Sequence, residues 1–283
     1  MANVELDVVI KGRIPWVAKR EVASVLSDCY RQFGSRVPYK VEVHIVDRES
    51  TMRDLLKEEK FRLGITTSGE EKFICAHDAW HGYPRIVICY ERLAKLNKLA
   101  RLGAVRHEAA HSVLHGSLEY SIFTIPEDCR NVAMIKGIDL AVLQQALYFL
   151  SVAVKDFEAT RFLVRHEYID CQFAFALEWL RPSEEDSSIW KSAETDRQAK
   201  FIYQTALLKS TFFAHPLLAL PRSKKISLEQ QVLLGRRMEE LVEHLGEAEQ
   251  RKLLQVTNII VDGLAGDTHK NVDFALHQAM SLA

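Results

Sequence analysis

The chain has 283 residues, of which 48% are hydrophobic, and its 37 basic residues nearly balance 38 acidic residues. This composition excludes an intrinsically disordered or low-complexity protein, and the length suffices for one large domain or two modest ones. The net charge of −1 is evidence against a protein that coats nucleic acid, which normally carries a basic excess. We therefore expect no nucleic-acid partner.

The sequence also indicates a cellular compartment. Five cysteines lie far apart and form no CxxC pair. This pattern excludes a zinc ribbon and a secreted disulfide framework. The first residues lack the basic start and apolar core of a signal peptide. The longest apolar stretch, residues 138–154, spans about 17 residues, fewer than the roughly 20 that cross a bilayer. We expect a soluble cytoplasmic protein with no membrane partner, and its oligomeric state stays open.

Up to about residue 95 the sequence patterns alternate between strands and helices. Runs rich in β-branched residues predict strands over residues 4–10, 41–46, 72–76 and 85–90. Helical spacing of apolar residues predicts helices over residues 20–33 and 51–61. The last two strands are joined by a segment with a turn signal, Gly-Tyr-Pro, and are expected to form a hairpin.

Beyond residue 93 helical periodicity dominates. It predicts helices over about 96–115, 138–166, 168–180, 194–213, 227–245, 248–263 and 271–282. We therefore predict an α+β protein with an N-terminal mixed αβ unit and a mainly helical C-terminal part. Three subdomains are expected: residues 1–95 with strands flanking a cleft, 96–180 with the motif helices described below, and a helical extension over 181–283.

One short motif carries chemistry, HEAAH at His107, Glu108 and His111. Two histidines four residues apart project from the same helix face, so both imidazoles can bind one zinc ion. The glutamate beside the first histidine can act as the general base. The alternative is a pair of histidines packed on a buried helix face.

His115 adds a third histidine at the same spacing. Its Cα lies about 12 Å along the axis from that of His107, so one tetrahedral ion cannot bind all three. Support of His111 or a helix-capping role is expected. The motif HExxHxxGxxH is absent, because Leu114 occupies its glycine position.

A catalytic zinc needs a third protein ligand and one open position. The next strong helix offers Asp156 and Glu158 in the stretch DFEAT. With HEAAH, this stretch resembles the gluzincin zinc metallopeptidases, including the minigluzincin branch, in which an acidic residue of a pattern like E-x-x-A-D completes the HExxH site. The resemblance covers the two motifs and the order of elements up to about residue 165.

The resemblance leaves the third ligand open. Alignment on Ala159 places Asp156 at the ligand position and Thr160 where the family has aspartate. Glu158 has the usual ligand chemistry but lies two residues further, about 200° around the helix, so only one of the two can face the metal. We favour Asp156, and the remaining alternative is that both carboxylates belong to a solvated face.

The resemblance also implies a zincin-like fold, a Zn²⁺ cofactor, Glu108 as general base and a peptide or protein substrate. The family binds its substrate along an exposed strand before the active-site helix, which implies Arg85, Ile86, Val87 and Ile88 as substrate-binding residues. The alternative is an ordinary core strand, which the run Ile86-Val87-Ile88 also fits. The residue that stabilises the oxyanion stays open. The candidates are Tyr148, His166, Tyr168, His77 and His81.

The predicted function is that of a soluble zinc-dependent metallopeptidase. The main alternative is a zincin-fold binding or scaffold protein without peptidase activity, and Glu108 favours the enzyme because a scaffold has no chemical need for it. A third alternative is a metal-independent helical adaptor with a fortuitous motif.

Overall fold

The structure is a computed structural model that describes residues 4–63, 73–221 and 226–283. It combines a small mixed sheet with many helices, and this confirms the α+β class. The chain forms two compact units, each built from two segments. The first unit contains Met1–Ser121 and Phe162–Phe175, and the second contains Ile122–Arg161 and Ala176–Ala283. The three subdomains expected from the sequence follow secondary-structure content and stay a prediction.

The sheet lies in the first unit and has four strands. They are β1 (Glu5–Lys11), β2 (Lys40–Val46), β3 (Cys75–Asp78) and β4 (Arg85–Cys89). The strand order is β1-β2-β4-β3, with β1, β2 and β4 parallel and β3 antiparallel to β4. The predicted hairpin is thereby confirmed. Residue 72, at the start of the predicted strand 72–76, lies outside the described residues, and the observed strand begins at Cys75.

The helices carry the larger share of the described chain. They are α1 (Trp16–Phe33), α2 (Glu49–Leu63), α3 (Tyr90–Leu93), α4 (Lys98–Leu114), α5 (Glu127–Ile135), α6 (Leu140–Arg165), α7 (Ile169–Trp179), α8 (Asp186–Ala193), α9 (Arg197–Leu218), α10 (Leu228–Val242), α11 (Glu247–Gly263) and α12 (Thr268–Ala279). Pro15 is the N-cap residue of α1, so the helix begins at Trp16, earlier than the apolar spacing predicts. Proline is tolerated at a helix start because its missing N–H would have no partner within the helix there. The helix ends at Gly34, whose φ of 82° suits glycine.

Helix α4, which carries HEAAH, is fixed at both ends within the first unit. The side chain of Asn97 caps its start by accepting from the Ala100 amide. Gly103 lets the backbone of α7 approach, because a Cβ there would lie 2.2 Å from the Cys171 carbonyl oxygen. Near the other end, the hydroxyls of Tyr30 and Ser112 lie 2.7 Å apart. These contacts fix the position of the motif relative to α1 and α7.

Three helical predictions need correction. Helices α5 and α8 were not predicted, because at nine and eight residues they are too short for a clear apolar period. Helix α9 was expected to stop before Pro216 but continues to Leu218, with Pro216 in its last turn. The buried side chains of Phe213 and Leu217 offset the hydrogen bond that the proline removes.

Helix α6 is longer than the apolar stretch from which we predicted it. It spans 26 residues, so the argument that it is too short to cross a bilayer is wrong. By length and composition it could span a membrane, and half of its most apolar window is buried inside the protein. The core helix of a soluble protein passes the same test.

Candidate metal centre

The HEAAH residues of α4 are all buried. His107, Glu108 and His111 are each less than 8% exposed. The Nε2 atoms of the two histidines lie 3.0 Å apart. Ligand atoms around a tetrahedral zinc with bonds of about 2.0–2.1 Å are separated by about 3.3 Å. The two imidazoles therefore already point their Nε2 atoms at nearly the spacing that one ion requires.

His115 supports His111 from the opposite side of the ring. The Nδ1 atoms of the two histidines lie 3.1 Å apart. The tautomer of His111 with its proton on Nδ1 would donate to His115 and leave the Nε2 lone pair on the side of His107. A metal-binding histidine is usually oriented in this way through its second nitrogen. The structure thus gives His115 the supporting place expected from its spacing.

Asp156 of α6 is buried, as the two histidines are. A carboxylate oxygen together with two imidazole nitrogens would form a donor set typical of catalytic zinc. Asp156 stays the sequence-predicted third ligand.

Glu158 has different partners. Its Oε2 accepts from the Thr268 hydroxyl at 2.8 Å and its Oε1 accepts from the Asn271 amide at 2.6 Å. Both donors belong to α12, and all three side chains are buried. Two residues along α6 from Asp156, Glu158 thus uses each oxygen in a hydrogen bond to another helix. The structure also excludes the alternative of a solvated face for these two carboxylates, since each is at most 8% exposed.

The four residues expected to bind substrate lie in the interior of the sheet. Strand β4 pairs with β2 on one side and with β3 on the other, so its backbone groups are already used. Its residues Arg85–Cys89 are all buried. The expectation that Arg85, Ile86, Val87 and Ile88 form an exposed docking strand is therefore wrong. The neighbouring strand β3 is one of the two edge strands of the described sheet, the other being β1.

Arg85 forms ion pairs with two carboxylates of the protein, and we assign it a structural role instead of substrate binding. Its guanidinium is 1% exposed, donates to Asp78 at 2.7 Å and forms a second ion pair with Glu59. Burial raises the pKa of Asp78, and the charge of Arg85 opposes that rise. A buried arginine with two carboxylates holds β3, β4 and α2 together.

The sequence did not distinguish His77 from the other four candidates for stabilising the oxyanion. It lies on β3, and its ring is nearly parallel to that of His111, at 14°, with centroids 5.8 Å apart. The other candidates in this unit have other contacts: His81 pairs with Glu42, and His166 bonds the Phe162 carbonyl oxygen. From the alternation of side chains along strand 75–78, the sequence could have predicted which face of the sheet His77 lies on. It could not have predicted that His77 lies beside His111.

The charge of Glu108 reaches two neighbouring acids. Burial raises the pKa of Tyr30 and of Cys75, and the negative charge of Glu108 adds to both shifts. Burial and the charge of Glu108 thus both favour the neutral forms of Tyr30 and Cys75.

Comparison with protein-family models, with curated proteins and with solved structures finds no match to this chain. Inference about function therefore depends on the site itself.

Proposed function

We propose that the protein is a cytoplasmic zinc-dependent metallopeptidase of the gluzincin type, with a zincin-like fold. The observation that carries this proposal is the pair of buried imidazoles of His107 and His111, whose Nε2 atoms lie 3.0 Å apart on the helix that also holds Glu108. A scaffold needs neither such a pair of donors nor a carboxylate beside it.

The donor set fits zinc on two counts. With Asp156 as the third ligand, three protein ligands would leave one of four tetrahedral positions open, as catalytic zinc sites do. The 3.0 Å separation of the His107 and His111 Nε2 atoms already approaches that of a shared ion.

When bound, the zinc ion supplies Lewis-acid polarisation of a carbonyl oxygen and lowers the pKa of water. Glu108 accepts the proton of the attacking water and passes it to the leaving amine, which a carboxylate can do in both directions. His115 keeps the His111 ring oriented through the Nδ1 contact. His77 is placed to donate a hydrogen bond toward the carbonyl oxygen of a substrate, because its ring stacks on that of His111.

We place the substrate peptide on strand β3 and not on β4. An extended peptide can add to the edge of a sheet through backbone hydrogen bonds. β3 is one of the two edge strands of the described sheet, the other being β1, and the His77 ring of β3 stacks on that of His111. This position brings the backbone of an added strand close to the proposed metal.

The deciding experiment compares the wild type with Glu108→Gln on a peptide library and on casein, with zinc content measured on the same samples. The substitution is nearly isosteric but cannot accept a proton, so we expect bound zinc to be retained and hydrolysis to fall about 10²–10⁴-fold. Glu119→Gln, in the described part of the first unit and exposed, is the matched control and should hydrolyse normally.

Two results would contradict the proposal. A wild type that binds zinc but cleaves nothing supports the alternative, a zincin-fold binding or scaffold protein. Activity that survives Glu108→Gln removes Glu108 from the chemistry.

A further inference from the structure

A second cluster of metal-binding side chains lies in the second unit. Asp128 and Cys129 of α5 and His277 of α12 each offer one ligand atom within 4.8 Å of the other two. The cluster shares no residue with the centre on α4 and α6. We propose that Asp128, Cys129 and His277 form a second metal site, which binds a divalent transition metal of the zinc class and links α5 to α12.

The geometry of the cluster suits a small ion. The Oδ2 of Asp128 lies 3.1 Å from the Nε2 of His277, close to the separation of about 3.3 Å between ligands of one tetrahedral ion. The other oxygen of Asp128 accepts from the backbone amide of Cys129 at 2.9 Å and fixes the carboxylate. Cys129 is fully buried, whereas the side chains of His277 and Asp128 are 40% and 66% exposed. An ion can therefore enter from solvent and meet the sulfur on its inner side.

A second carboxylate lies near this cluster. Asp273 precedes His277 by four residues on α12, and its charge interacts with those of Asp128 and His277. Asp273 is not among the three residues whose ligand atoms lie within 4.8 Å of one another, so the proposed site has three protein ligands.

The charges around the cluster favour a cation. The carboxylate of Asp128 lies against the imidazole of His277 and the thiol of Cys129, and the carboxylate of Asp273 lies near them. A divalent ion would neutralise the carboxylates and displace the thiol proton to solvent, since metals bind the thiolate.

The donor types select the metal. Thiolate and imidazole ligands prefer zinc and its neighbours in the first transition series, whereas calcium and magnesium require oxygen ligands. The site would also stabilise the second unit. It joins the last turns of α12 to α5, and the first turns of α12 hold Glu158 through Thr268 and Asn271. Metal binding at one end of α12 would therefore stabilise a helix whose other end bonds α6.

The test is a cobalt titration of the full chain after metal removal by a chelator. A Co²⁺–thiolate bond produces a charge-transfer band in the near ultraviolet, and a site of nitrogen and oxygen ligands produces none. The centre on α4 and α6 therefore contributes nothing to this band. We expect the band in the wild type and also in the double variant His107→Ala/His111→Ala, where one site remains and the band should saturate at one equivalent.

The band should disappear in Cys129→Ser and persist in the control Cys29→Ser, which removes a buried thiol of the first unit. Because Cys129 is fully buried, its variant can fail to fold. His277→Ala replaces a side chain that is 40% exposed and should weaken cobalt binding at least tenfold in a folded protein.

A stability measurement completes the test. Added Zn²⁺ should raise the unfolding midpoint of His107→Ala/His111→Ala by about 5 °C and leave that of the triple variant with Cys129→Ser unchanged. A wild type with no thiolate band, or a band that survives both Cys129→Ser and His277→Ala, would overturn the second site.

Discussion

Two clusters of buried polar side chains in the first unit differ in the kind of groups that they contain. Around Arg85 the chain supplies its own cation, and Asp78 and Glu59 are both paired with it. Along α4, His107, His111 and His115 bring imidazole nitrogens, which are electron-pair donors, to within about 3 Å of one another. The first cluster serves the fold, whereas under the proposed function the second would bind a metal ion.

The largest expected effect separates the two carboxylates of α6. Asp156→Ala removes one of three ligands, so zinc affinity should fall more than about 100-fold, beyond the loss caused by removing a partner of a ligand. Glu158→Ala should leave zinc affinity unchanged but lower the free energy of unfolding by about 2–4 kcal/mol, because two charge-assisted hydrogen bonds to α12 are lost.

Zinc titration and denaturant unfolding of the two variants check this prediction, in a Cys129→Ser background so that the second cluster does not contribute. Glu158→Gln is a milder replacement if the alanine variant is unstable. Near wild-type zinc affinity for Asp156→Ala would remove α6 from the proposed centre.

The next effect tests the self-sufficient cluster. Arg85→Met leaves Asp78 and Glu59 buried without their cation, so the free energy of unfolding should fall by about 3–5 kcal/mol. Zinc affinity should not change. Arg31→Met is the matched control, since its pair with Asp28 is exposed and worth about 0–1 kcal/mol. A loss of zinc binding in a folded Arg85→Met protein would show that the two clusters are not separate.

The smallest effect concerns His215, a partly buried histidine in neither cluster. Burial lowers the pKa of His215 from its ordinary value to about 4. The unfolded chain takes up this proton at about pH 6.5 and the folded chain only near pH 4, so stability is fully present above pH 6.5 and falls as the pH drops.

We expect His215 to cost the metal-free protein about 2–3 kcal/mol of stability between pH 7 and pH 4.5. Urea unfolding at both pH values, on wild type and His215→Gln, measures the difference. An equal pH dependence of the free energy of unfolding in the two proteins would contradict this prediction, because it would mean that burial does not lower the pKa of His215.

The sequence by itself determined the class of fold, the HEAAH helix and the two candidate carboxylates. These features depend on local periodicity and on spacing along one helix, which a few neighbouring residues fix. For example, the bounds predicted for the first two strands, 4–10 and 41–46, each lie within one residue of the observed bounds of β1 and β2.

Tertiary structure decided what local patterns cannot encode. Strand order made β4 interior and β3 an edge strand, because pairing partners are chosen across the sheet and not along the chain. Contacts of α12 assigned Glu158 to Thr268 and Asn271, more than a hundred residues away. The same long-range packing brought His277 to Cys129, which share no sequence motif.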